Sequence, residues 1–419
     1  MKVIVLGGSG GMGQYAVRTA LNFDFVEELV VADANGEAAR RFAGSCGPKA
    51  RAAEVDARDE AALARLFSGA DAVLNTVGPF FRMGPPVLRA AVRAKVHYFD
   101  INDDWESTEA MFAMDGDARA AGITAVIGMG ASPGISNMLA VKAMRELESV
   151  EEIFAGFDVD AAVPEHRGAK PSAATVHGIH QLTGVIRVFE DGRYADAKPM
   201  REIAFDYPGI GRVRGWTMGH PEAVTFPRYF KELRTARVLM TTTRTNLAAL
   251  RILGRLIDAG VLSIDRAAGW IERLEGVGKP AKTPADFVSE AVGGAEKNLP
   301  PLFAVARGVR HGTPASVAAT LISAPASGMG GATGVPLATA LAVVRPERGS
   351  KHGVFAPEAI VEPDAFFNAL APLCKPVCKA IDELVVLTRS WVDTSLATEL
   401  RKRIQRLTET RCGGGTGSV

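Results

Sequence analysis

The fold of this chain is decided by the stretch Leu6-Gly7-Gly8-Ser9-Gly10-Gly11-Met12-Gly13. A β-branched apolar run at 2–6 precedes it and predicts a buried strand, and residues 14–23 carry apolar side chains at helical spacing. A G-x-G-x-x-G motif between a strand and a helix is typical of a turn that binds a dinucleotide. Such glycines allow the tight turn, the approach of the pyrophosphate and close packing of the helix on the strand. We therefore predict cofactor binding by this loop, at Gly8, Ser9, Gly10, Gly11, Met12 and Gly13.

A second predicted strand ends in Asp33, twenty residues after the glycine motif. A carboxylate there accepts hydrogen bonds from the ribose hydroxyls of NAD. With NADP it would face a phosphate, and like charges at ~4 Å repel by roughly 1 kcal/mol in water. Neither Ala34 nor Asn35 offers a cation, and Arg40 and Arg41 lie further along the next helix. We place Asp33 and Ala34 in the cofactor site and predict NAD in preference to NADP by at least ~10-fold.

Composition and charge limit the class of protein. The chain has 419 residues, 47% of them hydrophobic, and a formal net charge of +1. This balance predicts neither nucleic acid nor membrane as a partner, and no apolar window approaches the ~18 residues of a membrane span. A predicted strand begins at the N-terminus, so we expect no signal peptide and a cytoplasmic protein. The four cysteines lack metal-motif spacing, so no metal site is expected.

The first third of the chain alternates between predicted strands and helices, which predicts an α/β fold with a doubly wound parallel sheet of Rossmann type. The strands are predicted at 2–7, 28–33, 50–55, 71–76, 96–100 and 123–128. The helices are predicted at 12–23, 36–44, 59–67, 84–94 and 107–121. Ligands bind at the carboxyl ends of such strands. We therefore assign to the cofactor site the residues that follow them, namely Asp56, Asn75, Thr76, Val77, Gly78, Pro79, Ser132, Pro133 and Gly134.

The pattern changes after a helix predicted at 135–148, for which Ser132 is the expected N-cap. From Glu151, strands are predicted at 152–159, 201–205, 234–243, 301–310 and 314–323. Helices are predicted at 173–189, 246–259, 264–274 and 283–292. Strands outnumber crossovers, so we predict an inserted α+β domain with a mostly antiparallel sheet backed by helices.

The C-terminal part is predicted to be helical. A glycine-rich loop at 328–334 leads into a predicted helix at 329–345 but lacks the context of a second dinucleotide site. Helices are predicted at 363–373 and 376–410, and 412–419 should form a flexible tail. The predicted domains are thus 1–135 with 346–372 for the dinucleotide, 150–340 for the substrate, and 373–411 as a helical extension.

Four stretches resemble the saccharopine dehydrogenase-like family of oxidoreductases. They are Gly8-Ser9-Gly10-Gly11-Met12-Gly13, Asn75-Thr76-Val77-Gly78-Pro79-Phe80 with Tyr98-Phe99-Asp100, Gly130-Ala131-Ser132-Pro133-Gly134-Ile135-Ser136-Asn137, and Gly353-Val354-Phe355-Ala356-Pro357-Glu358. Within the family the chain looks closest to the lysine 6-dehydrogenase branch, because Val31-Ala32-Asp33 ends in an acid where other branches tend to carry arginine. The resemblance implies a Rossmann domain interrupted by a substrate domain, a nicotinamide cofactor and hydride transfer at a carbon–nitrogen bond of an amino acid. It also implies a homodimer, often formed through the second domain, which would then serve both substrate binding and dimerisation.

Such a reaction needs a proton acceptor and a group that holds a substrate carboxylate. Asp100 ends the fifth strand and either binds a substrate amine or caps the following turn. His177 and His180 lie three residues apart on one predicted helix, and His220 lies in an irregular stretch. We take Asp100, His180 and His220 as the catalytic candidates. Possible carboxylate clamps, among which the sequence does not choose, are Arg212, Arg214, Arg228 and Arg244.

The leading hypothesis is therefore an NAD(P)-dependent oxidoreductase that acts on an amine, an imine or an opine-like amino acid. Two alternatives stay open. One is the reductive condensation of an aldehyde with an amino acid or diamine, as in the saccharopine reductase or carboxynorspermidine dehydrogenase branches. The other is a non-catalytic protein that senses the nucleotide as an effector.

Overall fold

The computed structural model describes residues 1–161, 172–275, 299–325, 328–349 and 351–403. The predicted helix at 283–292 and the predicted tail at 412–419 lie outside these residues. Two large β-sheets organise the described chain, one with seven strands and one with nine. None of the described helices is long and apolar enough to cross a membrane.

The first sheet is parallel throughout. Its strands are β1 (Lys2–Leu6), β2 (Glu28–Asp33), β3 (Ala50–Glu54), β4 (Ala72–Asn75), β5 (His97–Asp100), β6 (Thr124–Val126) and β16 (Gly353–Phe355). They follow the Rossmann order β3-β2-β1-β4-β5-β6, with β16 added beyond β6. The register places Leu6 beside Asn75 and Asn75 beside Asp100, so the carboxyl ends of three strands are aligned. The predicted Rossmann sheet is confirmed.

Seven helices accompany this part of the chain, several of them within a residue or two of the predicted bounds. They are α1 (Gly11–Leu21), α2 (Gly36–Gly44), α3 (Glu60–Phe67), α4 (Phe80–Ala94), α5 (Trp105–Phe112), α6 (Asp115–Ala121) and α7 (Ile135–Met144). The prediction of a single helix at 107–121 is wrong, because α5 ends at Phe112 and a separate helix, α6, begins at Asp115. The Asp115 carboxylate accepts the amide of Val354 at 2.9 Å, a contact with β16 that local sequence does not encode.

The second sheet is mixed and mostly antiparallel, as predicted. Its strands are β7 (Ser149–Asp158), β8 (Ile186–Glu190), β9 (Arg193–Ala197), β10 (Glu202–Tyr207), β11 (Gly211–Thr217), β12 (Thr235–Thr241), β13 (Leu302–Arg310), β14 (Thr313–Leu321) and β18 (Val385–Arg389). The main order is β10-β11-β12-β7-β13-β14-β18; β8 pairs with β12, and β9 pairs with β8. Among the described strands of this sheet, β7 and β12 form the one parallel pair. Its helices are α8 (Ala173–His180), α9 (Glu222–Tyr229), α10 (Arg244–Asp258) and α11 (Ile264–Glu275).

Two helical predictions in this region are wrong. The helix predicted at 173–189 ends at His180, and β8 and β9 form a hairpin instead. Positive φ angles at Asp191 and Gly192 fit the tight turn between them. The helix predicted at 376–410 is replaced over 385–389 by β18, which pairs with β14 at the edge of the second sheet, and helix returns only at 396–403.

The glycine-rich stretch at 328–334 is helical rather than a loop. It forms the start of α12 (Gly328–Val344), which packs along α1. A Cβ on Gly334 would lie 2.1 Å from the Met12 carbonyl oxygen, so a glycine there permits the close approach of the two helices. The remaining elements are α13 (Pro357–Ile360), α14 (Pro363–Leu370), α15 (Ile381–Leu384) and the short pair β15 (Ala324–Pro325) and β17 (Cys374–Lys375).

Candidate functional site

The glycine-rich loop between β1 and α1 has the geometry of a phosphate cradle. A Cβ on Gly13 would lie 2.1 Å from the Gly7 carbonyl oxygen, so α1 can approach the loop only because this residue is glycine. Gly10 is the N-cap and supplies no side-chain hydrogen bond, and the first turn of α1 contains no acid. Backbone N–H groups at the start of α1 are therefore left for an anionic ligand, which fits the pyrophosphate of a dinucleotide.

Asp33 reaches from the end of β2 to this loop. Its Oδ2 accepts hydrogen bonds from Ser9 Oγ at 2.7 Å and from the Ser9 amide at 3.2 Å. The cations nearby are already paired: Arg40 lies 3.6 Å from Glu54, and Arg58 forms a bidentate pair with Asp56. The bonds from Arg58 lower the pKa of Asp56 to about 2. The carboxylate of Asp33 thus lies at the glycine loop, and no cation among the described residues forms an ion pair with it.

The residues that follow β4 lie beside the glycine-rich loop, at the carboxyl edge of the Rossmann sheet. Thr76 Oγ1 donates to the Leu6 carbonyl oxygen at 2.9 Å, which joins the ends of β4 and β1. Asn75 donates to Tyr98 Oη at 2.9 Å and accepts the amide of Val77 at 3.0 Å. Pro79 is the N-cap of α4, and Thr76 and Gly78 face the cavity described below.

Asp100 lies inside the protein and does not line that cavity. Its Oδ1 accepts the amides of Asn102 and Gly128 at 3.0 and 2.7 Å, and its Oδ2 accepts Tyr98 Oη at 2.8 Å. Burial raises the pKa of Asp100 to about 6. The structure therefore places this candidate in the turn-capping position rather than within reach of a substrate.

His220 and Glu222 form a buried pair beside the cavity. Nδ1 of His220 is hydrogen-bonded to Oε2 of Glu222. Oε1 of Glu222 accepts both Ser132 Oγ and Ser136 Oγ at 2.6 Å. Burial raises the pKa of Glu222, but His220 and the two serines outweigh it, so the net shift is downward. Burial likewise lowers the pKa of His220, but Glu222 outweighs it, so the net shift is upward.

This network corrects one prediction and adds one residue. Ser132 is not the N-cap of α7, because its hydroxyl binds Glu222; Gly134 takes the N-cap position, and its amide binds Asn137 Oδ1 at 2.8 Å. Glu222 was not among the site residues predicted from the sequence. The only local signal was its position two residues after His220.

His177 lines the cavity, whereas His180 does not. Nδ1 of His177 lies 2.7 Å from Asp103 Oδ1, and Nε2 accepts the Phe80 amide at 2.8 Å. Burial lowers the pKa of His177, but Asp103 and Asp104 outweigh it and raise the pKa to about 9. A proton on Nε2 would nevertheless break the bond from Phe80, so we assign the neutral form with its proton on Nδ1.

His180 lies outside the cavity lining. Its Nε2 lies 3.6 Å from Glu106, and its ring packs against Phe81 at a tilt, with centroids 4.7 Å apart. The trios Asp103–Asp104–His177 and Asp104–Glu106–His180 each bring possible metal ligands within 4.8 Å. Pairing of each imidazole with a carboxylate accounts for this proximity, so neither trio carries a metal assignment here.

One cavity of about 990 Å³ brings these groups together. Met12, Thr76 and Gly78 contribute from the nucleotide side, and His177 and His220 contribute from the region of the second sheet. Ser132 lies between the two sides and lines the same space. The cavity therefore joins the carboxyl edge of the Rossmann sheet to the His220–Glu222 pair.

The four predicted carboxylate clamps lie elsewhere. Arg212 pairs with Asp206 at 3.0 Å, and Arg214 pairs with Glu202 at 3.1 Å. The Arg228 guanidinium lies over the ring of Phe112, and Arg244 begins α10. None of these arginines lines the cavity in the described part of the chain.

A buried acid continues the network behind His220. Asn137 Nδ2 donates to Glu358 Oε2 at 2.7 Å, and Asn137 Oδ1 lies 3.3 Å from Ser136 Oγ. Burial raises the pKa of Glu358 to about 7. Two buried residues, Ser136 and Asn137, therefore connect the Glu222 carboxylate to the Glu358 carboxyl group.

We expect Glu358→Gln to raise the melting temperature more at pH 8 than at pH 5. Folding raises the pKa of this carboxyl from 4.5 to about 7, so wild-type stability falls as the pH rises through that window, and an amide escapes this loss. A gain of roughly 2 kcal/mol at pH 8 follows from 1.36 kcal/mol per pKa unit, discounted for relaxation. Thermal unfolding at both pH values measures it. Exposed Glu232→Gln is the control, and an equal gain at the two pH values would contradict the assignment.

The fold and the site define a protein of the Rossmann type that binds a nicotinamide dinucleotide. Residues 3–126 match the family model described as the saccharopine dehydrogenase NADP-binding domain. This model covers the nucleotide-binding part of the chain, and it is a model of the family that the motifs resemble. The narrower placement in the lysine 6-dehydrogenase branch stays a prediction.

Individual relatives agree with this family. The chain is 24% identical over 285 residues to a carboxynorspermidine synthase of Vibrio cholerae serotype O1, covering 61% of this chain and 66%, just under two thirds, of that protein. Apo saccharopine dehydrogenase (L-Glu forming) from Saccharomyces cerevisiae superposes with a TM-score of 0.59 at 16% identity, covering 93% of this chain and 99% of that one. Homospermidine synthase from Legionella pneumophila, solved with NAD, gives 0.56 at 13% identity, covering 93% and 92%. At these identities the structural matches show the fold alone.

Proposed function

We propose that this protein is an NAD(P)-dependent oxidoreductase that transfers a hydride at the carbon–nitrogen bond of an amino acid, amine or imine. The observation that carries the proposal is the shared cavity. The glycine-rich edge of the Rossmann sheet forms one side, and His220, backed by Glu222, lies on the other. A hydride acceptor and a proton acceptor can therefore act on one substrate.

In this proposal, His220 is the group that exchanges the proton. Oxidation of an amine removes a hydride from carbon and a proton from nitrogen and leaves an imine; bound nicotinamide supplies the hydride acceptor. Glu222 engages Nδ1 of His220, so Nε2 takes the proton from the substrate nitrogen. The ionised Glu222 then stabilises the imidazolium, in the manner of the acid of a catalytic triad. In the reverse direction the same imidazolium returns the proton.

The test is a screen of amino acids and diamines with NAD+ at high pH, followed by the absorbance of reduced nicotinamide. High pH favours the neutral imidazole that oxidation requires, because Glu222 raises the pKa of His220. Turnover of at least one such compound is expected. Tight nucleotide binding with no turnover in either direction would favour the nucleotide-sensing alternative.

Reductive condensation is the second candidate, and the resemblance to a carboxynorspermidine synthase favours it. It uses the same groups in the reductive direction, with protonated His220 as the acid. Aldehydes offered together with an amino acid or diamine and the reduced cofactor test it. Faster reduction of such mixtures than oxidation of any amine would make condensation the main reaction.

We expect NAD to bind at least ~10-fold more tightly than NADP, equivalent to ~1.4 kcal/mol. Although the matching family model is described by NADP, Asp33 would face the 2′-phosphate, and Arg40 and Arg58 are already paired with acids. Titration of both nucleotides measures the preference. Replacing Asp33 by Ser together with Ala34 by Arg should invert it.

Asp33→Asn is the matched control for this experiment. It removes the charge but keeps one acceptor oxygen for Ser9. The difference in affinity between NAD and NADP should therefore become smaller, while the glycine-rich loop keeps its conformation. Equal or tighter binding of NADP by the unmodified protein would mean that Asp33 does not face the ribose.

A further inference from the structure

The cavity wall opposite the nucleotide loop is built largely by one end of the second sheet. Strand β7 ends at Asp158, its neighbour β13 begins at Leu302, and β14 ends at Leu321, so the same end of three adjacent strands faces the cavity. Helices α10 and α11 add to this wall. Its larger apolar side chains are Phe157, Val159, Leu250, Ile271, Leu302 and Leu321.

Three carboxylates that line the cavity are hydrogen-bonded within the protein, Asp103 on the nucleotide side and Asp158 and Asp160 at this wall. Asp103 pairs with His177 at 2.7 Å. Asp160 accepts hydrogen bonds from Thr242 Oγ1 at 3.0 Å and from Asn246 Nδ2 at 2.7 Å. Asp158 accepts the amide of Asp160 at 3.0 Å. The partners named for Asp103 and Asp160 are neutral groups, so these carboxylates keep their negative charge. They therefore disfavour a substrate carboxylate and tolerate an ammonium group.

Cations are scarce at the same wall. Over the described residues that line the cavity, Lys375 is the only permanently cationic side chain. A substrate carboxylate is held best by the two parallel hydrogen bonds of an arginine. The four arginines that the sequence offered for this purpose all lie away from the cavity, as shown above.

We propose that the substrate of this site is an amine or imine that carries a large apolar substituent, rather than a free amino acid. The inference rests on the proposed function and names its substrate class. The reacting nitrogen lies at the polar end of the cavity, beside His220. The apolar substituent covers the wall formed by Phe157, Leu302 and Leu321, where it gains free energy in proportion to the apolar area it buries.

Calorimetric titration of the full chain, saturated with NAD, with butylamine, hexylamine, octylamine and decylamine tests the proposal. The Kd is expected to fall by about fourfold for each methylene that is fully buried. Lysine should bind more weakly than hexylamine. An affinity that does not change with chain length, or tighter binding of lysine, would overturn the proposal.

A matched pair of variants tests whether the apolar wall of the cavity binds the alkyl group of the amine. Leu250 lines the cavity, whereas Ile252, on the same helix, is 59% exposed and does not line it. Leu250→Gln should weaken decylamine binding by about three- to tenfold, and Ile252→Gln should leave it unchanged. Equal effects of the two changes would overturn the assignment of this wall. Because binding is read without turnover, these results are separate from the nicotinamide assay, whose failure would count against the proposed function alone.

Discussion

Replacement of His220 by glutamine is expected to lower the kcat of hydride transfer by roughly 100- to 10,000-fold, the usual contribution of a general acid or base. Glutamine fills much of the same space but cannot exchange the proton at the position of Nε2. Nucleotide affinity should stay unchanged, because the glycine loop lies on the other side of the cavity. Steady-state kinetics with the best substrate from the screen, together with nucleotide titration, measure both quantities.

Two other histidines provide the controls for this experiment. His311 is 78% exposed in the turn between β13 and β14, and His311→Gln should leave kcat unchanged. His180→Gln tests the competing candidate, whose ring faces Glu106 and Phe81. Loss of activity in His180→Gln with near-normal activity in His220→Gln would reverse the assignment.

The pH dependence of the rate distinguishes two roles of Glu222. One is to raise the pKa of His220, and the other is to stabilise the fold alone. Glu222 raises the pKa of His220 against the opposing effect of burial. Glu222→Gln should therefore move the limb of the pH–rate profile that reports neutral His220 to lower pH. A reduced rate with an unmoved limb would indicate that Glu222 acts only on stability.

Gly13→Val is expected to weaken nucleotide binding by more than 100-fold, or ~2.7 kcal/mol. A Cβ at this position would lie 2.1 Å from the Gly7 carbonyl oxygen and 2.8 Å from the Gly8 Cα. Both contacts are with backbone, so relief requires α1 to move away from the loop that holds the phosphates. Such overpacking also costs about 1–3 kcal/mol of stability. Fluorescence titration with NADH and thermal unfolding measure the two effects.

Gly11→Ala is the matched control in the same loop. A Cβ on Gly11 meets no atom within 4 Å, and alanine favours the first turn of α1. This variant should fold and bind the nucleotide nearly as the wild type does. If Gly13→Val kept both the affinity and the melting temperature of the wild type, α1 would not be packed against the loop as described.

The Rossmann part of this protein was determined by local sequence. The apolar run before Leu6, the glycine motif and the acid at Asp33 specify a strand, a turn, a helix and a strand within one short segment. Once strands are parallel, their carboxyl ends must share one edge, so the neighbouring positions of Leu6, Asn75 and Asp100 follow from the pattern.

Tertiary pairing decided the parts that sequence periodicity left ambiguous. Residues 385–389 form a short apolar run that suits a strand or a helix, and pairing with β14 makes it a strand. The break before α6 likewise depends on the bond between Asp115 and Val354, 239 positions apart. The β8–β9 hairpin is different, since Asp191-Gly192 is a turn signal that local sequence contains.

The site shows the same division. Sequence was sufficient to select His220 and Ser132 as candidates, because each lies in a motif or an irregular stretch rich in polar groups. Only the folded chain brings Ser132 to Glu222, 90 positions away, and so converts a lone histidine into a polarised pair. Only the folded chain buries Asp100 and leaves Arg212 and Arg214 outside the cavity. Residue type and spacing specify which chemistry is available, whereas burial and long-range hydrogen bonds, which arise on folding, decide which groups face the substrate.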